Sequence, residues 1–219
     1  MRGVRVVIPL YCGFDKREAV GFHAFVASVM ACTKEQVAFI PTNGWSDGTN
    51  AFTRARFHIP LYQSGFAIFA DACDMVCRGD IKELWEMRDP KKAVQVVKHD
   101  YNTRHKRKYV GTSMEADNSN YPRKNWASLM IVNCDHPGWQ KMHNRTTLEL
   151  LQFRFLEDGE IGALPPEWNH LVDEYGYCGG ARLLHWTAGI PAWKCYHEAE
   201  MAEEWFKAHR LATHADPSR

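Results

Sequence analysis

Two aspartates, Asp71 and Asp74, stand directly after an uncharged, mostly apolar segment, residues 65–70. Such a segment predicts a buried strand in a helix-covered sheet, whose last residues reach the edge where ligands bind. Two carboxylates beside an apolar core repel each other, so the arrangement is costly unless a divalent cation neutralises them. Oxygen ligands of this kind suit Mg²⁺ or Mn²⁺ shared with a substrate phosphate. From these residues alone, a turn cap and a surface ion pair are the alternative.

The beginning of the chain predicts a strand, a helix and a second strand. An apolar run covers residues 4–10, and apolar residues recur at helical spacing from 19 to 31. Asp15 and Glu18 have the spacing of a capping box at the start of that helix. Residues 37–40 predict a strand that ends at the following proline. This order favours a parallel sheet with the first loop at its ligand-binding edge.

Further elements follow the apolar strand. We expect a surface loop at 42–50, a short helix around 54–57, a helix at 81–87, a strand at 93–97, an apolar strand ending at 133, a helix at 136–151 and a terminal helix at 198–207. Five Lys or Arg lie between 98 and 108, with the densest cluster at 104–108. This cluster is compatible with a solvated loop, with a nucleic-acid-binding surface, or with a lid that attracts the acceptor of a transferase.

Composition narrows the class of protein. A chain of 219 residues suits one α/β domain, so we expect a single domain over 1–219 with a frayed end at 210–219. The 27 Lys and Arg balance 26 Asp and Glu to a formal charge of +1, which requires neither nucleic acid nor membrane as a partner. The sequence has neither an apolar run long enough to span a membrane nor the features of a signal peptide, so we expect a cytoplasmic location. The seven cysteines form no Cys-x-x-Cys pair, which predicts reduced thiols.

Four blocks in a fixed order carry a resemblance to a known family. They are the segment of Arg56 and Phe57, the apolar strand with its Asp pair and the following Gly79-Asp80-Ile81 turn, residues 121–133, and residues 181–193. In this order the chain resembles the retaining nucleotide-sugar glycosyltransferases of the family-eight type, which have the GT-A fold. The resemblance implies an α/β protein: a single Rossmann-like domain with a central mixed, mostly parallel sheet flanked by helices.

The resemblance implies a Mn²⁺ or Mg²⁺ site formed by Asp71, Asp74 and His185. His185 lies in the closing block, where the family has a strand that ends in a metal-binding His. The aspartate spacing departs from the family's Asp-x-Asp, because Ala72 takes the first position when Asp74 takes the second. Either a one-residue bulge returns Asp71 to the metal, or Asp74 is the only aspartate of the pair that binds it.

The resemblance also assigns residues to the nucleotide-sugar donor. In the first loop, Tyr11, Asp15 and Arg17 are the polar side chains available for the base and ribose. Arg56 matches the family's Arg, and Gly189 matches a glycine whose backbone approaches the diphosphate. A helix cap with a solvated first turn is the alternative for the first-loop residues.

Two residues are the candidates beside the reacting sugar. Asn125 precedes the buried strand at the position where the family has an Asn beside the donor sugar; the alternative is an ordinary turn residue. Asp158 is the candidate for the acidic residue of the family's Asp-Gln-Asp loop, a motif that this sequence does not reproduce. The family's Lys before the closing Pro-Trp is also missing. Neutralisation of the leaving diphosphate would therefore depend on the metal, Arg56 or a basic residue of 104–108.

The expected function is transfer of a sugar, with retention, from a nucleotide-diphosphate donor such as a UDP-sugar. The acceptor stays open among glycans, proteins, small molecules and modified nucleic acids. The alternative is a catalytically inactive module that keeps the GT-A fold and binds a nucleotide sugar or a nucleic acid.

Overall fold

The computed structural model describes residues 7–214. The strands are β1 Val7–Gly13, β2 Gln36–Thr42, β3 Phe66–Ala70, β4 Met75–Cys77, β5 Val94–Val96, β6 Arg107–Lys108, β7 Ala116–Asp117, β8 Leu129–Asn133, β9 Ile161–Ala163, β10 His170–Leu171 and β11 Leu183–His185. The α-helices are α1 Ala19–Cys32, α2 Ile81–Glu86, α3 Thr147–Leu151, α4 Val172–Tyr175 and α5 Ala202–Thr213. Within this part of the chain, none of the helices has the length and apolar character needed to cross a bilayer.

A six-stranded sheet in the order β2-β1-β3-β8-β5-β9 forms the centre of the fold. Strand β8 is antiparallel to its neighbours β3 and β5, whereas the other neighbouring pairs are parallel. The predicted mixed, mostly parallel sheet is thereby confirmed. Strand β3 lies between β1 and β8, and its residues 67–70 are completely buried, as its apolar sequence predicts.

Two smaller sheets complete the fold. Strand β11 pairs with β10 and, antiparallel, with β4, and β6 pairs with β7 in a two-stranded ribbon. Helix α1 packs against β4 and α5. Phe25 of α1 belongs to the main core, whereas its neighbour Ala24 belongs to a second cluster with Trp186 and Trp205. Helix α1 therefore joins the large sheet to the small one that carries β4 and β11.

The first two strands extend beyond their predicted ends. Of the strand predicted at 4–10, residues 4–6 lie outside the described part of the chain, and β1 continues to Gly13. The prediction that Pro41 ends the second strand is wrong, because β2 continues to Thr42. Since β2 is an edge strand, the N–H that proline lacks is not needed for pairing with a further strand.

The helix predicted at 136–151 is wrong. The chain forms a 3-10 helix, Pro137–Met142, and then the separate helix α3. The first helical segment ends where His143 leaves the helical conformation with ψ of 142°, and Asn144 then has a positive φ of 61°. Thr146 and Glu149 then form a reciprocal capping box that starts α3. The apolar spacing correctly indicated helical structure in both segments, but it cannot reveal the left-handed residue that separates the two segments.

The C-terminal helix is displaced from its predicted position at 198–207. Helix α5 begins at Ala202, after Met201 with a positive φ of 56°, and extends to Thr213. Residues 210–213 of the expected frayed end are therefore helical, and residues 215–219 lie outside the described part of the chain.

Gly21 of α1 provides a test of how tightly this helix packs on the sheet edge. A Cβ at Gly21 would overlap the carbonyl oxygen of Cys73, in the turn between the two aspartates. In a helix free of such contacts, Gly→Ala stabilises by about 1 kcal/mol. Because the helix or the turn must shift here, we expect Gly21→Ala to destabilise by about 1–3 kcal/mol in urea unfolding.

The matched control is Gly159→Ala, since a Cβ at Gly159 meets no atom within 4 Å. A Gly21→Ala variant as stable as the parent protein would contradict the close approach of α1 to the aspartate turn.

Candidate metal site and ligand cavity

The turn between β3 and β4 brings the two aspartates to the same side. The Asp71 N–H donates to the Ser128 carbonyl at 2.9 Å, which continues the pairing of β3 with β8 by one residue. Ala72 then takes a left-handed conformation with φ of 60°, and the Met75 N–H donates back to its carbonyl at 3.2 Å. The extra residue of this Asp-x-x-Asp spacing is therefore absorbed in a tight turn, and Asp71 lies beside Asp74.

His185 reaches the same turn from the last position of β11. In the register of β11 and β4, His185 lies opposite Met75, and the next N–H, of Trp186, donates to the Asp74 carbonyl at 2.9 Å. One ligand atom from each of Asp71, Asp74 and His185 lies within 4.8 Å of the other two. The three residues assigned to the metal thus lie together, although they come from distant parts of the sequence.

Asn169 fixes the orientation of the His185 ring. The Asn169 amide nitrogen donates to Ser128 Oγ at 2.8 Å, so its oxygen faces His185 Nδ1 at 3.0 Å and accepts from it. The Nδ1 atom therefore carries a proton, and Nε2 points toward Asp74 Oδ1, 3.4 Å away. A second-shell hydrogen bond of this kind is typical of metal-binding histidines.

Arg56 is the fixed cation of the site. It lies in the 3-10 helix Ala55–Leu61, where its Nη1 is 2.6 Å from Asp71 Oδ1 and donates to the Ala127 carbonyl at 2.7 Å. Its guanidinium group also lies over the rings of Phe52 and Phe69. With only 5% of its surface exposed, Arg56 compensates one carboxylate in a fixed geometry.

The electrostatics of the site favour a bound cation. Burial raises the pKa of Asp71 to about 6, against the opposing charge of Arg56 and with a further contribution from Asp74. Burial alone would lower the pKa of His185, but the negative charges of Asp74 and Asp71 outweigh it and raise that pKa. Both Asp71 Oδ1 and Asp74 Oδ1 are buried; Arg56 compensates the first at 2.6 Å, whereas the second has only His185 Nε2 beside it, at 3.4 Å. These oxygens and His185 Nε2 are a donor set that fits Mn²⁺ or Mg²⁺, which would compete with a proton for the same position.

A cavity of about 490 Å³ opens above this cluster. Asp71, Asp74 and His185 line it together with Thr187, and its walls come from residues 47–53, 108–128 and 146–151. Cavities of roughly 300–1,000 Å³ are typical of small-molecule sites. The cluster therefore lies at the base of a space large enough for a substrate.

Two of the residues assigned to donor and sugar line this cavity. Arg56 does so beside Asp71. Asn125 has a left-handed conformation with φ of 61°, and its amide donates to the Tyr101 hydroxyl at 2.7 Å. Its place at the cavity wall agrees with the resemblance, whereas its role stays a prediction.

The residues of the first loop do not line the cavity. Tyr11 is buried on β1 and donates to Gln63 Oε1 at 2.9 Å. Asp15 accepts from the Ala51 N–H at 3.0 Å, and Arg17 pairs with Asp15 and donates to the Thr49 carbonyl. Asp15 and Arg17 therefore hold the loop that forms one cavity wall, a supporting position that differs from the predicted direct contact.

Gly189 and Asp158 also lie away from the cavity lining. A Cβ at Gly189 would overlap the ring of Tyr196, so close packing of this aromatic ring accounts for the glycine. Asp158 is 87% exposed and pairs with Arg123 at 2.5 Å. The structure does not bring Asp158 to the site, because the capped turn at Glu157 and Glu160 directs it to solvent. Thr146 and Thr147 line the cavity wall instead.

Glu18 is a buried acid that sequence reasoning assigned only to a helix cap. Asp15 caps the turn as expected, but Glu18 does not return a hydrogen bond. Its Oε2 instead accepts from the Asn50 amide at 2.7 Å, and Asn50 Oδ1 lies 3.4 Å from the Tyr109 hydroxyl. Asn50 and Tyr109 both line the cavity. Since the spacing of a capping box conceals this role, the sequence carried no signal for it.

Glu18 predicts a pH dependence of stability. Burial raises its pKa well above the ordinary value, and the negative charges of Asp74 and Asp15 add to the effect. An acid whose pKa is raised in the folded state contributes its full stability below its unfolded pKa, about 4.5, and loses that contribution as the pH rises. Gln keeps an acceptor for Asn50 and carries no charge. We therefore expect Glu18→Gln to gain stability over the parent protein as the pH rises above about 4.5, the unfolded pKa.

The measurement is urea unfolding in EDTA at a series of pH values on both sides of about pH 4.5. Glu86→Gln is the control, because Glu86 is exposed on α2. A stability difference between the Glu18→Gln variant and the parent that stays constant with pH would show that Glu18 ionises as readily in the folded as in the unfolded chain.

Comparison with known proteins relates the chain to one curated relative and to several solved structures. No protein-family model matches the chain. It is 31% identical over 223 residues to Protein CDI of Arabidopsis thaliana, covering 90% of this chain and 83% of that protein.

Several similar solved structures are glycosyltransferases. GlyE of Streptococcus pneumoniae has a TM-score of 0.63 at 13% identity, over 93% of this chain and 60% of that one. The bifunctional glycosyltransferase WbbM has a TM-score of 0.60 at 15% identity, over 95% of this chain and half of that one. The galactosyltransferase LgtC, in complex with donor and acceptor sugar analogs, has a TM-score of 0.59 at 11% identity, over 96% and 98% of the two chains. The chain thus has the GT-A fold, and by its identity to Protein CDI it belongs to the family of that plant protein.

Proposed function

We propose that the protein is a metal-dependent glycosyltransferase that takes a sugar from a nucleotide-diphosphate donor. The observation that carries this proposal is the meeting of Asp71, Asp74 and His185 within 4.8 Å at the base of a cavity. The likeness of the fold to glycosyltransferases, including one solved with donor and acceptor sugar analogs, supports it. A UDP-sugar is the first donor to test, and retention of anomeric configuration is proposed on the family resemblance.

Asp71, Asp74 and His185 would hold Mn²⁺ or Mg²⁺ in this proposal. When bound, such an ion supplies Lewis-acid stabilisation of the negative charge that develops on the leaving diphosphate. The chain's own part is to keep the donor atoms in place before substrate arrives. Arg56 fixes the Asp71 carboxylate, and Asn169 fixes the His185 ring. One ligand atom from each of Asp71, Asp74 and His185 is thereby held within reach of a single ion.

Asn125 is the residue we assign to the donor sugar. Its side chain is held by Tyr101 at the cavity wall, so its amide oxygen is available to accept from a sugar hydroxyl. Asp158 is not part of the proposal, since it lies in solvent beside Arg123. The proposal includes no protein nucleophile and no pair of carboxylates acting as in glycoside hydrolases.

The ribbon β6–β7 does not favour the alternative of a nucleic-acid-binding module. Arg107 pairs with Glu115 and Asp117 at 2.7 Å each, whereas Lys108 lines the cavity. Within 104–108, Arg107 is thus engaged in local ion pairs and Lys108 faces the cavity, which leaves Arg104 and Lys106 as the exposed cations without an ion pair. The single-domain organisation and the cytoplasmic location stay predictions from the sequence.

The proposal is tested by hydrolysis of UDP-glucose, UDP-galactose, UDP-N-acetylglucosamine and GDP-mannose with Mn²⁺, followed by product chromatography. We expect turnover of at least one donor and its loss in EDTA. In Asp74→Asn the same turnover should fall by about 10²–10³-fold, because an essential charge stabiliser is removed.

Asp100→Asn is the control, since Asp100 is exposed and outside the cavity lining. Absence of both turnover and binding for every donor would contradict the proposal. Full turnover in Asp74→Asn would show that this aspartate does not hold the ion.

A further inference from the structure

Three basic side chains line the cavity, and they differ in what they contact. Arg56 pairs with Asp71, and Lys124 Nζ donates to Asn118 Oδ1 at 2.6 Å and to the Ser119 carbonyl at 2.7 Å. Within residues 7–214, Lys108 Nζ is the one of the three charged groups with no hydrogen bond or ion pair. Its closest aromatic neighbour is the ring of Tyr109, whose centroid lies 5.0 Å away.

The position of Lys108 is imposed by the ribbon β6–β7. Arg107 and Lys108 are consecutive strand residues, so their side chains point to opposite faces. Arg107 takes the outer face through its pairs with Glu115 and Asp117. On the other side, the buried Tyr109 donates its N–H to the Ala188 carbonyl at 2.6 Å, next to Thr187 of the cavity base. The fold therefore turns Lys108 inward and holds it there.

This arrangement leaves the cationic group of the half-buried Lys108 without an ionic or hydrogen-bonding partner among the described residues. Burial lowers the pKa of Lys108, although the charges of Asp74 and Asp71 oppose the effect. An ammonium group removed from water needs ion pairing or hydrogen bonds to compensate the loss of hydration. The charged side chains that line the cavity are Asp47, Asp71, Asp74 and Asp117 against Arg56, Lys108 and Lys124, so a divalent ion at Asp71 and Asp74 would leave the lining with a positive net charge. An anionic ligand at the ion would then supply the missing partner.

We infer that Lys108 binds the diphosphate of the donor and stabilises the nucleoside diphosphate as it leaves. This inference rests on the proposed function and deepens it by naming the cation for the leaving group. The bond that breaks joins the anomeric carbon to a phosphate oxygen, which keeps the electron pair. The new bond forms from the anomeric carbon to the oxygen of an acceptor hydroxyl or water, whose proton leaves with the diphosphate. Lys108 stays protonated and donates a hydrogen bond to the diphosphate oxygen.

Lys108 would thus replace, from a ribbon between β5 and β8, the lysine that the family resemblance expects before Pro191. The sequence shows no Lys or Arg among residues 186–193. The two positions are far apart along the chain, but the Tyr109 N–H contact with Ala188 brings the ribbon to the closing segment. The cation is therefore provided at the same cavity by a different element.

The test is calorimetric binding of nucleotides in saturating Mn²⁺ to the parent protein and to Lys108→Met, Lys108→Arg and Lys106→Met. The probes are UDP, GDP, CDP and ADP and the corresponding monophosphates, and the tightest diphosphate is used throughout. We expect Lys108→Met to weaken diphosphate binding by about 10–100-fold, the range for a lost charge-assisted hydrogen bond, and monophosphate binding far less. Lys108→Arg should retain most of the preference for diphosphate. Lys106 is exposed on the same segment, so Lys106→Met should bind as the parent does.

Thermal unfolding and direct Mn²⁺ titration of each variant separate the inference from a structural role. Equal losses for diphosphate and monophosphate, or unchanged binding of both, would overturn the inference. Tighter Mn²⁺ binding with an unchanged diphosphate preference would also overturn it, since Lys108 would then only balance the carboxylates. If the parent protein bound Mn²⁺ but no nucleotide and hydrolysed no donor, the proposed function itself would fail, and the inference with it.

Discussion

The cost of holding two carboxylates at the buried edge of a sheet is the constraint on which the site depends. Asp71 and Asp74 lie at the end of β3, where burial raises the pKa of Asp71 and the charge of Asp74 adds to the effect. The chain compensates one of them with Arg56, which is itself fixed between two aromatic rings. It places His185 beside the other through the pairing of β11 with β4. Since Asp74 Oδ1 has only His185 Nε2 beside it, at 3.4 Å, the charge of this second carboxylate is compensated less fully than that of Asp71, and a cation would complete the compensation.

The cavity walls depend on the same acidic region. Glu18, at the start of α1, holds Asn50 of one wall, and Asn50 lies at hydrogen-bonding distance from Tyr109 of another. Asp15 holds the same loop through the Ala51 N–H. Helix α1 also packs directly on the aspartate turn, where Gly21 leaves no room for a side chain. Helix α1 therefore contacts the aspartate turn through Gly21, and the residue that precedes it, Glu18, holds a wall of the cavity. A distortion of α1 would affect both.

The sequence predicted those features that depend on apolar patterning. Strand β3 lies where its apolar run predicts, and the expected sheet class is confirmed. The family resemblance of four sequence blocks also implied that His185 and the two aspartates lie at one metal site. What could not be predicted depends on single backbone conformations or on side-chain direction. The left-handed φ of Ala72 decides that Asp71 joins Asp74, and that of Asn144 divides a predicted helix. Tyr11 was assigned to the donor, but its side chain is directed to Gln63 by a strand orientation that composition does not encode.

Pulsed electron paramagnetic resonance of bound Mn²⁺ is the most direct test of whether these three residues form one metal site. Coupling of the electron spin to a directly bound imidazole nitrogen reports a histidine ligand. The account predicts such a nitrogen signal in the parent protein, from His185, and its loss in His185→Gln while Mn²⁺ still binds to the carboxylates. A spectrum without nitrogen coupling, or one that His185→Gln leaves unchanged, would contradict the account, because the imidazole would then not share the ion with Asp71 and Asp74.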